Sequence, residues 1–345
     1  MIVTNATVFD GNPYHKLIYS ALNGRYEAVK GSVQDARVRL QRSEGRILHI
    51  HWEESPLRKC ASDSEARLIA EQFAKSLFGF KAAGGKVVWT LHNEWPHEME
   101  FVDHLKVLRQ DIAEAADCIL IHNLAAATAL QKQVHVKASK LMRLPHPSYA
   151  GMYPGEHAPR NANKGEILFF GLLRAYKGLD FLIDAIPEDE KIAPNFKIKV
   201  RGDVIASDPY AQTVEVYGSR QDVDLVIDRV SDEEVAPMFK TAGAVILPYQ
   251  RFLTSGVALL ALTFGVPVIA PDTPQMRELL PAENHPLLFK QDDPDALKAA
   301  VKLAAKLTKK QQEEIMQASL LRAADVHPDR ISKRLGDIYE MVLSK

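Results

Sequence analysis

The fold is constrained above all by a regular alternation of short apolar runs with stretches of helical pattern along the whole chain. In the first half, the predicted strands lie at residues 2–8, 47–51, 86–91, 118–121 and 141–144. Several of these runs lack a polar alternation, which is typical of parallel strands that are covered on both faces. The alternation therefore predicts an α/β protein built on doubly wound parallel sheets.

A breaker-rich segment divides the chain near its middle. Residues 145–165 contain prolines and glycines at a density that marks a linker. Beyond it the alternation resumes, with predicted strands at residues 167–170, 196–201, 224–227, 245–248 and 268–270. We therefore predict two Rossmann-like domains that face a central cleft, at residues 1–150 and 165–325. A C-terminal helix within residues 326–345 is expected to return toward the first domain.

The composition is that of an ordinary globular protein. A chain of 345 residues is long enough for two domains, and its formal net charge of −1 gives no sign of a nucleic-acid partner. The two cysteines, Cys60 and Cys118, match neither a disulfide framework nor a zinc-binding pattern. The N-terminus lacks a signal-peptide pattern, and no apolar run approaches the roughly 20 residues that span a bilayer. We expect a cytoplasmic protein, with peripheral contact to the inner face of the membrane left open.

Cations follow two predicted strands of the second half. Gly171, Arg174 and Lys177 come after the strand at 167–170, and Arg201 ends the strand at 196–201. Ligands of doubly wound sheets bind at the carboxyl ends of strands, where two cations three residues apart suit a diphosphate. The alternatives are an ordinary solvated loop and, for Arg201, an ion pair with Asp203 or another neighbour.

A helix start supplies a further candidate anion site. Thr254, Ser255 and Gly256 begin a predicted buried helix, where free backbone N–H groups and the positive end of the helix dipole favour an anion. The plainer interpretation is an N-cap, for which Ser and Thr are usual residues. The chain contains no Gly-x-Gly-x-x-Gly after a strand and no P-loop motif, which argues against binding of NAD and against a P-loop.

The order of these segments resembles the donor domain of GT-B glycosyltransferases of the glycogen-synthase-like superfamily. The pieces are Gly171 with Arg174 and Lys177-Gly178, then Arg201-Gly202-Asp203, then residues 230–239, 244–248 and 265–269. The resemblance covers residues 165–305 well and the first half more loosely. It implies that the Arg/Lys loop binds the donor diphosphate and that residues near Val230 contact the nucleobase. Together with the strand-end and helix-start candidates, the predicted donor contacts are Gly171, Arg174, Lys177, Arg201, Val230, Ser231, Thr254, Ser255 and Gly256.

One departure from that family concerns two glutamates that stand eight positions apart before a Gly-Val-Pro turn. Counting back from Gly265, those positions hold Phe252 and Leu260, so both carboxylates are missing. Their absence argues against the family's usual retaining chemistry. The Thr-Ser-Gly helix start, together with the Asn-Pro-Tyr segment at 12–14, resembles bacterial exopolysaccharide mannosyltransferases of the xanthan β-1,4-mannosyltransferase type.

This second resemblance implies a hexosyltransferase of polysaccharide biosynthesis. The expected donor is a nucleotide diphosphate sugar, with GDP-mannose favoured, and the expected acceptor is a saccharide or a lipid-linked saccharide. Transfer is expected to invert the anomeric centre and to need neither a metal ion nor a cofactor, because the cations can neutralise the departing diphosphate. Two alternatives stay open: a nucleotide-sugar epimerase or hydrolase on the same fold, and a non-catalytic nucleotide-binding GT-B subunit.

The first half must supply a general base if the transfer is inverting. His51, Trp52 and Glu53 lie at and after the end of the strand at 47–51, where Trp52 offers an apolar platform for a sugar ring and Glu53 a carboxylate. The alternative is a plain strand end with a buried tryptophan and solvated acids. We predict Glu53 as the base.

His92 and Asn93 follow the strand at 86–91, at a place where the related family has a histidine that contacts the donor sugar. We predict that role for His92, although Glu53 and His92 can exchange roles. Glu94 and His97 are secondary candidates in the same loop. Asn12 suits a helix cap, which does not exclude acceptor contact. The predicted acceptor contacts are Asn12, Tyr14, His51, Trp52 and Asn93.

Overall fold

The computed structural model describes residues 1–6, 12–22, 24–95 and 100–345. These residues form two compact units, one made of Met1–Pro147 with Pro328–Lys345 and the other of Ser148–His327. Each unit contains a six-stranded sheet, and every described strand pair is parallel. The prediction of an α/β fold with two doubly wound parallel sheets is thereby confirmed.

The first sheet places several strand ends on one edge. Its strands are β1 (Ile2–Ala6), β2 (Glu27–Lys30), β3 (Ile47–Ile50), β4 (Lys86–Leu91), β5 (Cys118–Ile121) and β6 (Leu141–Arg143). They pair in the order β2-β1-β3-β4-β5-β6. Ile50 lies opposite Trp89, and Leu91 lies opposite Ile121, so the carboxyl ends of β3, β4 and β5 are neighbours. Residues that follow these strands therefore lie close together.

Among the described residues, five helices lie between the strands of the first unit, and all but the fourth begin at a capping side chain. They are α1 (Pro13–Ile18), α2 (Val33–Gln41), α3 (Asp63–Ala82), α4 (Val102–Ala115) and α5 (Leu124–Gln131). Ser62 and Asn123 each accept a backbone N–H from the residue three positions on, at the starts of α3 and α5. The sequence pattern predicted neither β2 nor α2. β2 is a short edge strand with exposed ends, and α2 buries only Val33 and Ala36, so neither leaves an apolar period.

The second sheet has the same architecture. Its strands are β7 (Asn163–Phe170), β8 (Lys197–Gly202), β9 (Val223–Ile227), β10 (Ala242–Ile246), β11 (Val268–Pro271) and β12 (Leu288–Phe289). They pair in the order β12-β11-β10-β7-β8-β9. The helices of this unit are α6 (Leu179–Ala185), α7 (Tyr210–Tyr217), α8 (Asp232–Thr241), α9 (Gly256–Thr263), α10 (Pro274–Leu279), α11 (Pro294–Ala305) and α12 (Lys309–Asp325). Every residue of α9 from Ala258 onward is buried, as the apolar run predicted.

The last helix, α13 (Pro328–Ser344), belongs to the first unit, where it packs against α1. Ser332 accepts the backbone N–H of Ala21 at 2.9 Å, and Arg25 pairs with Asp337 at 3.3 Å. Tyr339 is fully buried and reaches the first sheet. Among the described helices, none is both long enough and apolar enough to cross a bilayer.

Candidate active site

A buried lysine marks the carboxyl edge of the second sheet. Lys177 follows β7 through a short turn, and it is only 9% exposed. Its Nζ lies 3.1 Å from the point that a Cβ on Gly171 would occupy, so the ammonium sits directly over that glycine. Burial, followed by the charge of Arg174, lowers the pKa of Lys177 to about 8. In the described part of the chain no carboxylate pairs with this ammonium, which indicates a site for an anionic ligand.

The N-terminus of α9 lies beside this lysine. Ser255 is buried and caps the helix by accepting the N–H of Ala258 at 3.1 Å. Val257, in the first turn, has a methyl group 3.7 Å from the point that a Cβ on Gly171 would occupy. The cap therefore exists, and it does not exclude an anion site, because Val257 of the first turn and the Lys177 ammonium both lie near Gly171.

The two arginines of the predicted donor site are held by carboxylates. Arg174 Nη1 lies 2.7 Å from Asp208 Oδ2, and Arg201 Nη2 lies 2.5 Å from Asp224 Oδ2 on the neighbouring strand β9. The alternative interpretation of Arg201, an ion pair with a neighbour, is therefore the one seen in the structure. Its partner is Asp224 rather than Asp203. A hydrogen bond from the backbone of Tyr210, followed by Arg174, lowers the pKa of Asp208, so that this carboxylate is charged and orients the guanidinium.

The remaining predicted donor contacts lie at two loop ends of the second unit. Ser231 begins α8, where its N–H and its hydroxyl both donate to Glu234 at 3.0 Å and 2.7 Å. The capping box thus occupies part of Ser231, and Val230 beside it is half-buried. Thr254 is half-buried and directly precedes the cap of α9. The donor roles of these three residues stay predictions.

The carboxyl edge of the first sheet carries a histidine after each of four neighbouring strands. We call His51, His92, His122 and His146 the histidine row; they follow β3, β4, β5 and β6. Successive rings in the row have centroids 5.3 Å, 5.5 Å and 5.3 Å apart. Parallel strands in register bring these rings together, because each strand ends at the same edge.

Tyr14 packs across the histidine row from α1. Its ring centroid lies 4.8 Å from that of His92, 4.9 Å from that of His146 and 5.6 Å from that of His122. Asn12 caps α1 by accepting the Tyr14 N–H at 3.0 Å, which places the tyrosine at the start of the helix. Tyr14 is therefore part of this edge of the sheet, whereas the cap interpretation of Asn12 is the one that the geometry shows directly.

Hydrogen bonds link the row to the interior of the first unit. His51 Nδ1 lies 3.1 Å from His92 Nε2, and His51 Nε2 lies 2.7 Å from the hydroxyl of Tyr19. The Tyr19 hydroxyl lies 3.1 Å from His49 Nδ1, and His49 Nε2 lies 2.8 Å from Thr90 Oγ1. These contacts form one continuous hydrogen-bonded chain that runs inward from His92.

The imidazoles in this region are neutral near pH 7. Burial lowers the pKa of His49 to about 3 and that of His122 to about 4, where a hydrogen bond to the Leu144 carbonyl opposes the shift. Burial, followed by the charges of neighbouring histidines, lowers the pKa values of His51 and His92 far below their ordinary value. Each of these rings therefore has one N–H donor and one lone pair at physiological pH.

Trp52 stacks on His92, with ring centroids 4.2 Å apart and planes inclined by 12°. The expected apolar platform is therefore covered by the imidazole on one face. The contact fixes the plane of the His92 ring instead.

Glu53 is placed as an anchor rather than as an accessible base. It is 1% exposed, and its carboxylate accepts hydrogen bonds from Arg109 Nε at 2.7 Å and from Trp89 Nε1 at 3.2 Å. Arg109 is itself fully buried and donates to the carbonyl of Asn93 at 3.1 Å. The ion pair thus ties the loop after β3 to the loop that carries His92. The interpretation of a solvated acid at Glu53 is wrong in this structure, since the carboxylate is enclosed.

His122 was not among the predicted site residues, although it follows β5 as His92 follows β4. Its Nδ1 lies 2.9 Å from the Leu144 carbonyl, which can only accept, so Nδ1 carries the hydrogen. Its Nε2 is buried and has no partner in the described ranges. The rule that ligands bind at strand ends would have identified this residue as well.

Asn93 and His97 are further predicted residues of the loop after β4. Asn93 is half-buried, and its carbonyl is used by Arg109. His97 and the segment 7–11 lie outside the described residues. Within the described ranges, no group of three or more His, Cys, Asp or Glu side chains is arranged to bind a metal ion.

The fold and a match to a family model together indicate the class of protein. Residues 164–306, which include Gly171, Lys177 and α9, match the family model described as "Glycosyl transferases group 1". Two doubly wound parallel sheets of this kind are the GT-B architecture. The chain is therefore a glycosyltransferase of the GT-B fold, which confirms the resemblance seen in the sequence.

A curated relative makes the likeness more specific. The chain is 28% identical over 274 residues to a GDP-mannose:glycolipid 4-beta-D-mannosyltransferase of Xanthomonas campestris pv. campestris, an alignment that covers 75% of this chain and 70% of the relative. This is the type of mannosyltransferase that the helix start at Thr254 and the segment at 12–14 resembled.

Solved structures show the same fold at low identity. HepE of Anabaena in complex with UDP and glucose has a TM-score of 0.70 at 15% identity, covering 99% of this chain and 100% of that one. Sucrose-phosphate synthase of Thermosynechococcus elongatus has a TM-score of 0.73 at 14% identity, covering 100% and 99%. At these identities the likeness concerns the fold alone.

Proposed function

We propose that this glycosyltransferase transfers mannose from GDP-mannose to a saccharide or lipid-linked saccharide acceptor in polysaccharide biosynthesis. The similarity to the Xanthomonas mannosyltransferase supports the choice of sugar, nucleotide and acceptor class. The donor site itself rests on one observation. The ammonium of Lys177 is buried without a carboxylate partner in the described ranges, beside Gly171 and the first turn of α9.

These groups suit the charge that develops during transfer. When the bond between the anomeric carbon and the phosphate oxygen breaks, negative charge accumulates on the departing diphosphate. A fixed ammonium and the N–H groups of a helix start stabilise that charge without reorganisation. Arg174, oriented by Asp208, can contribute a second positive charge from the same loop. In this proposal the protein's own cations replace a metal ion, and the reaction of donor with acceptor needs no cofactor.

The missing glutamates support inversion. The two positions hold Phe252, which is half-buried, and Leu260, which is buried in α9. Because both side chains are apolar, neither offers a carboxylate to the donor sugar. An inverting reaction then needs a base for the acceptor hydroxyl. Of the two predicted candidates, Glu53 is engaged by Arg109 and Trp89, which favours His92 as the base and reverses the roles first assigned.

A thermal-shift panel with GDP, UDP, ADP and TDP tests the donor site. A ligand at a concentration of 100 times its dissociation constant stabilises the native state by about 2.7 kcal/mol. Because GDP is the nucleotide of the proposed donor, it should raise the melting temperature most. Lys177→Ala should remove most of this shift. Lys309→Ala is the matched control, because it deletes an equal charge from a side chain that is 90% exposed. A GDP shift that survives Lys177→Ala would sink the assignment.

Turnover separates the proposal from its rivals. GDP-mannose should be consumed rapidly only when a saccharide acceptor, such as a panel of alkyl glycosides, is present. Consumption at the same rate without acceptor would indicate a hydrolase or an epimerase. Binding of GDP-mannose without turnover under any of these conditions would indicate a non-catalytic subunit.

A further inference from the structure

We propose that the hydrogen-bonded chain from His92 through His51 and Tyr19 to His49, here called the relay chain, takes up the proton that the acceptor hydroxyl loses. The inference rests on the proposed function, in which His92 is the base. It assigns a role to three residues that do not themselves touch the substrate. They act by setting which nitrogen of His92 carries hydrogen and by sharing its charge.

The links of the relay chain are all within hydrogen-bond range. The distances are 3.1 Å from His92 Nε2 to His51 Nδ1, 2.7 Å from His51 Nε2 to the Tyr19 hydroxyl, and 3.1 Å from that hydroxyl to His49 Nδ1. A neutral imidazole donates once and accepts once, and a hydroxyl does both. The relay chain can therefore be oriented in either direction with every link intact.

One of the two orientations prepares His92 as a base. In it, His92 Nε2 donates to His51 Nδ1, His51 Nε2 donates to Tyr19, and Tyr19 donates to His49 Nδ1. The Nε2–H of His49 then donates to Thr90 Oγ1, 2.8 Å away. Nδ1 of His92 is left with its lone pair directed away from the relay chain.

The relay chain is closed at its inner end and open at its outer end. Nε2 of His49 bonds to Thr90, and its Nδ1 is shared between the hydroxyl of Tyr19 and that of Tyr339, which lies 2.6 Å away. Nδ1 of His92 has no partner in the part of the chain that the structure describes. Most buried polar groups are hydrogen-bonded, so an open end favours a ligand at this position. The open end, next to the partnerless Nε2 of His122, points to a ligand with hydroxyl groups.

The transfer step moves one proton from the acceptor hydroxyl to His92. The acceptor O–H bond breaks, its proton passes to Nδ1 of His92, and the oxygen bonds to the anomeric carbon. The bond from that carbon to the phosphate oxygen breaks, and its electron pair leaves with GDP. His92 now carries two N–H groups and one positive charge. Passing its Nε2 proton to His51, and the His51 Nε2 proton through Tyr19 to His49, moves the charge inward with no proton gained or lost.

Sharing the charge over three imidazoles lowers its cost. A single buried imidazolium is unfavourable, which is why burial keeps these rings neutral before the reaction. Linked hydrogen bonds polarise one another and spread the charge. When the product leaves, the same steps in reverse return the proton to His92 Nδ1 and from there to water.

Tyr19→Phe tests the relay chain by removing one hydroxyl. Tyr26→Phe is the control, because Tyr26 is buried in the same unit, with its ring 5.3 Å from that of Tyr339, but lies outside the relay chain. Single-turnover transfer from GDP-mannose should slow about tenfold in Tyr19→Phe, with unchanged donor affinity. In mixtures of H2O and D2O, the wild-type rate should depend on the deuterium fraction along a curve, as expected when several protons move. The variant should give a straight line.

Nitrogen NMR of histidine-labelled protein tests the hydrogen positions without any turnover. In the free wild-type enzyme at pH 7, His92 should carry hydrogen on Nε2, and Tyr19→Phe should change the tautomer population of His51 or His92. Hydrogen on Nδ1 of wild-type His92, or an unchanged single-turnover rate in Tyr19→Phe, would overturn the inference. If wild-type enzyme does not use GDP-mannose at all, the proposed function fails, whereas the tautomers still decide whether the relay chain exists.

Discussion

The indole of Trp52 and the imidazole of His92 stack with a centroid separation of 4.2 Å and nearly parallel planes. Both residues are 7% exposed, and they follow consecutive strands of the first sheet. Rotation of the His92 ring would break both this contact and the hydrogen bond to His51. The stacked pair therefore holds the proposed base in one orientation.

Replacing Trp52 should disturb chemistry more than donor binding. Aromatic pairs contribute about 0.5–1.5 kcal/mol beyond their buried area, so Trp52→Leu should lower kcat by roughly three- to tenfold. Trp52→Phe keeps an aromatic face and should retain most of the activity. Steady-state kinetics with GDP-mannose, together with calorimetric GDP affinity, measures both effects. A loss of GDP affinity with unchanged kcat would contradict this account.

Removing the Glu53 carboxylate should destabilise the fold. Breaking a buried ion pair from one side costs about 3–5 kcal/mol, because the remaining charge is buried without a partner. Glu53→Leu should therefore lower the free energy of unfolding by that amount in urea titrations, and Arg109→Met added to it should recover part of the loss. Glu71→Leu is the control, since its ion pair with Arg67 is exposed and contributes less than about 1 kcal/mol.

Loss of activity without loss of stability in Glu53→Leu would contradict this role of Glu53. A Glu53→Leu protein that is as stable as wild type but inactive with GDP-mannose would restore Glu53 as the base. It would also remove His92 from that role.

Gly171→Ala should weaken nucleotide binding beyond its effect on stability. Gly171 has φ of 99°, and an added Cβ would lie 3.1 Å from the Lys177 ammonium, in the space proposed for the donor phosphates. Gly84→Ala is a matched control, because Gly84 has φ of 91° but nothing within 4 Å of the added Cβ. Both variants should lose about 1 kcal/mol of stability from backbone strain. Only Gly171→Ala should lose the GDP thermal shift.

The buried histidines should make the protein sensitive to mild acid. His49 and His122 have folded pKa values of about 3 and about 4, below the ordinary value of 6.5. Between pH 6.5 and about 4 the unfolded chain binds protons that the folded chain does not, so stability falls as the pH falls. Each histidine contributes about 1.4 kcal/mol per pH unit in this window.

Urea titrations at pH 7, 6 and 5 measure this slope. His122→Gln should reduce it by about one proton, whereas His135→Gln, at an exposed position, serves as the control. A slope that is the same in wild type and His122→Gln would show that His122 is not buried in its neutral form.

Local patterns carried much of the fold prediction. The apolar runs at 47–51, 86–91 and 118–121 became β3, β4 and β5 with nearly the predicted bounds, because buried parallel strands need apolar residues. The edge strand β2 and the mostly exposed helix α2 were missed, since they bury too little to leave a period. The rule that ligands bind at strand ends also selected His92 and Lys177. It applies equally to His122, which was missed because fewer polar residues surround it in the sequence.

The sequence by itself determined the class of fold, the strand ends at which polar residues gather, and the order of segments typical of a glycosyltransferase. Those properties depend on neighbours along the chain, through periodicity, turn residues and helix caps. Only the tertiary structure decided that Arg109 neutralises Glu53, that Arg201 pairs with Asp224, and that Tyr19 joins His51 to His49. Burial and pairing arise between residues far apart in sequence, so no local pattern contains them.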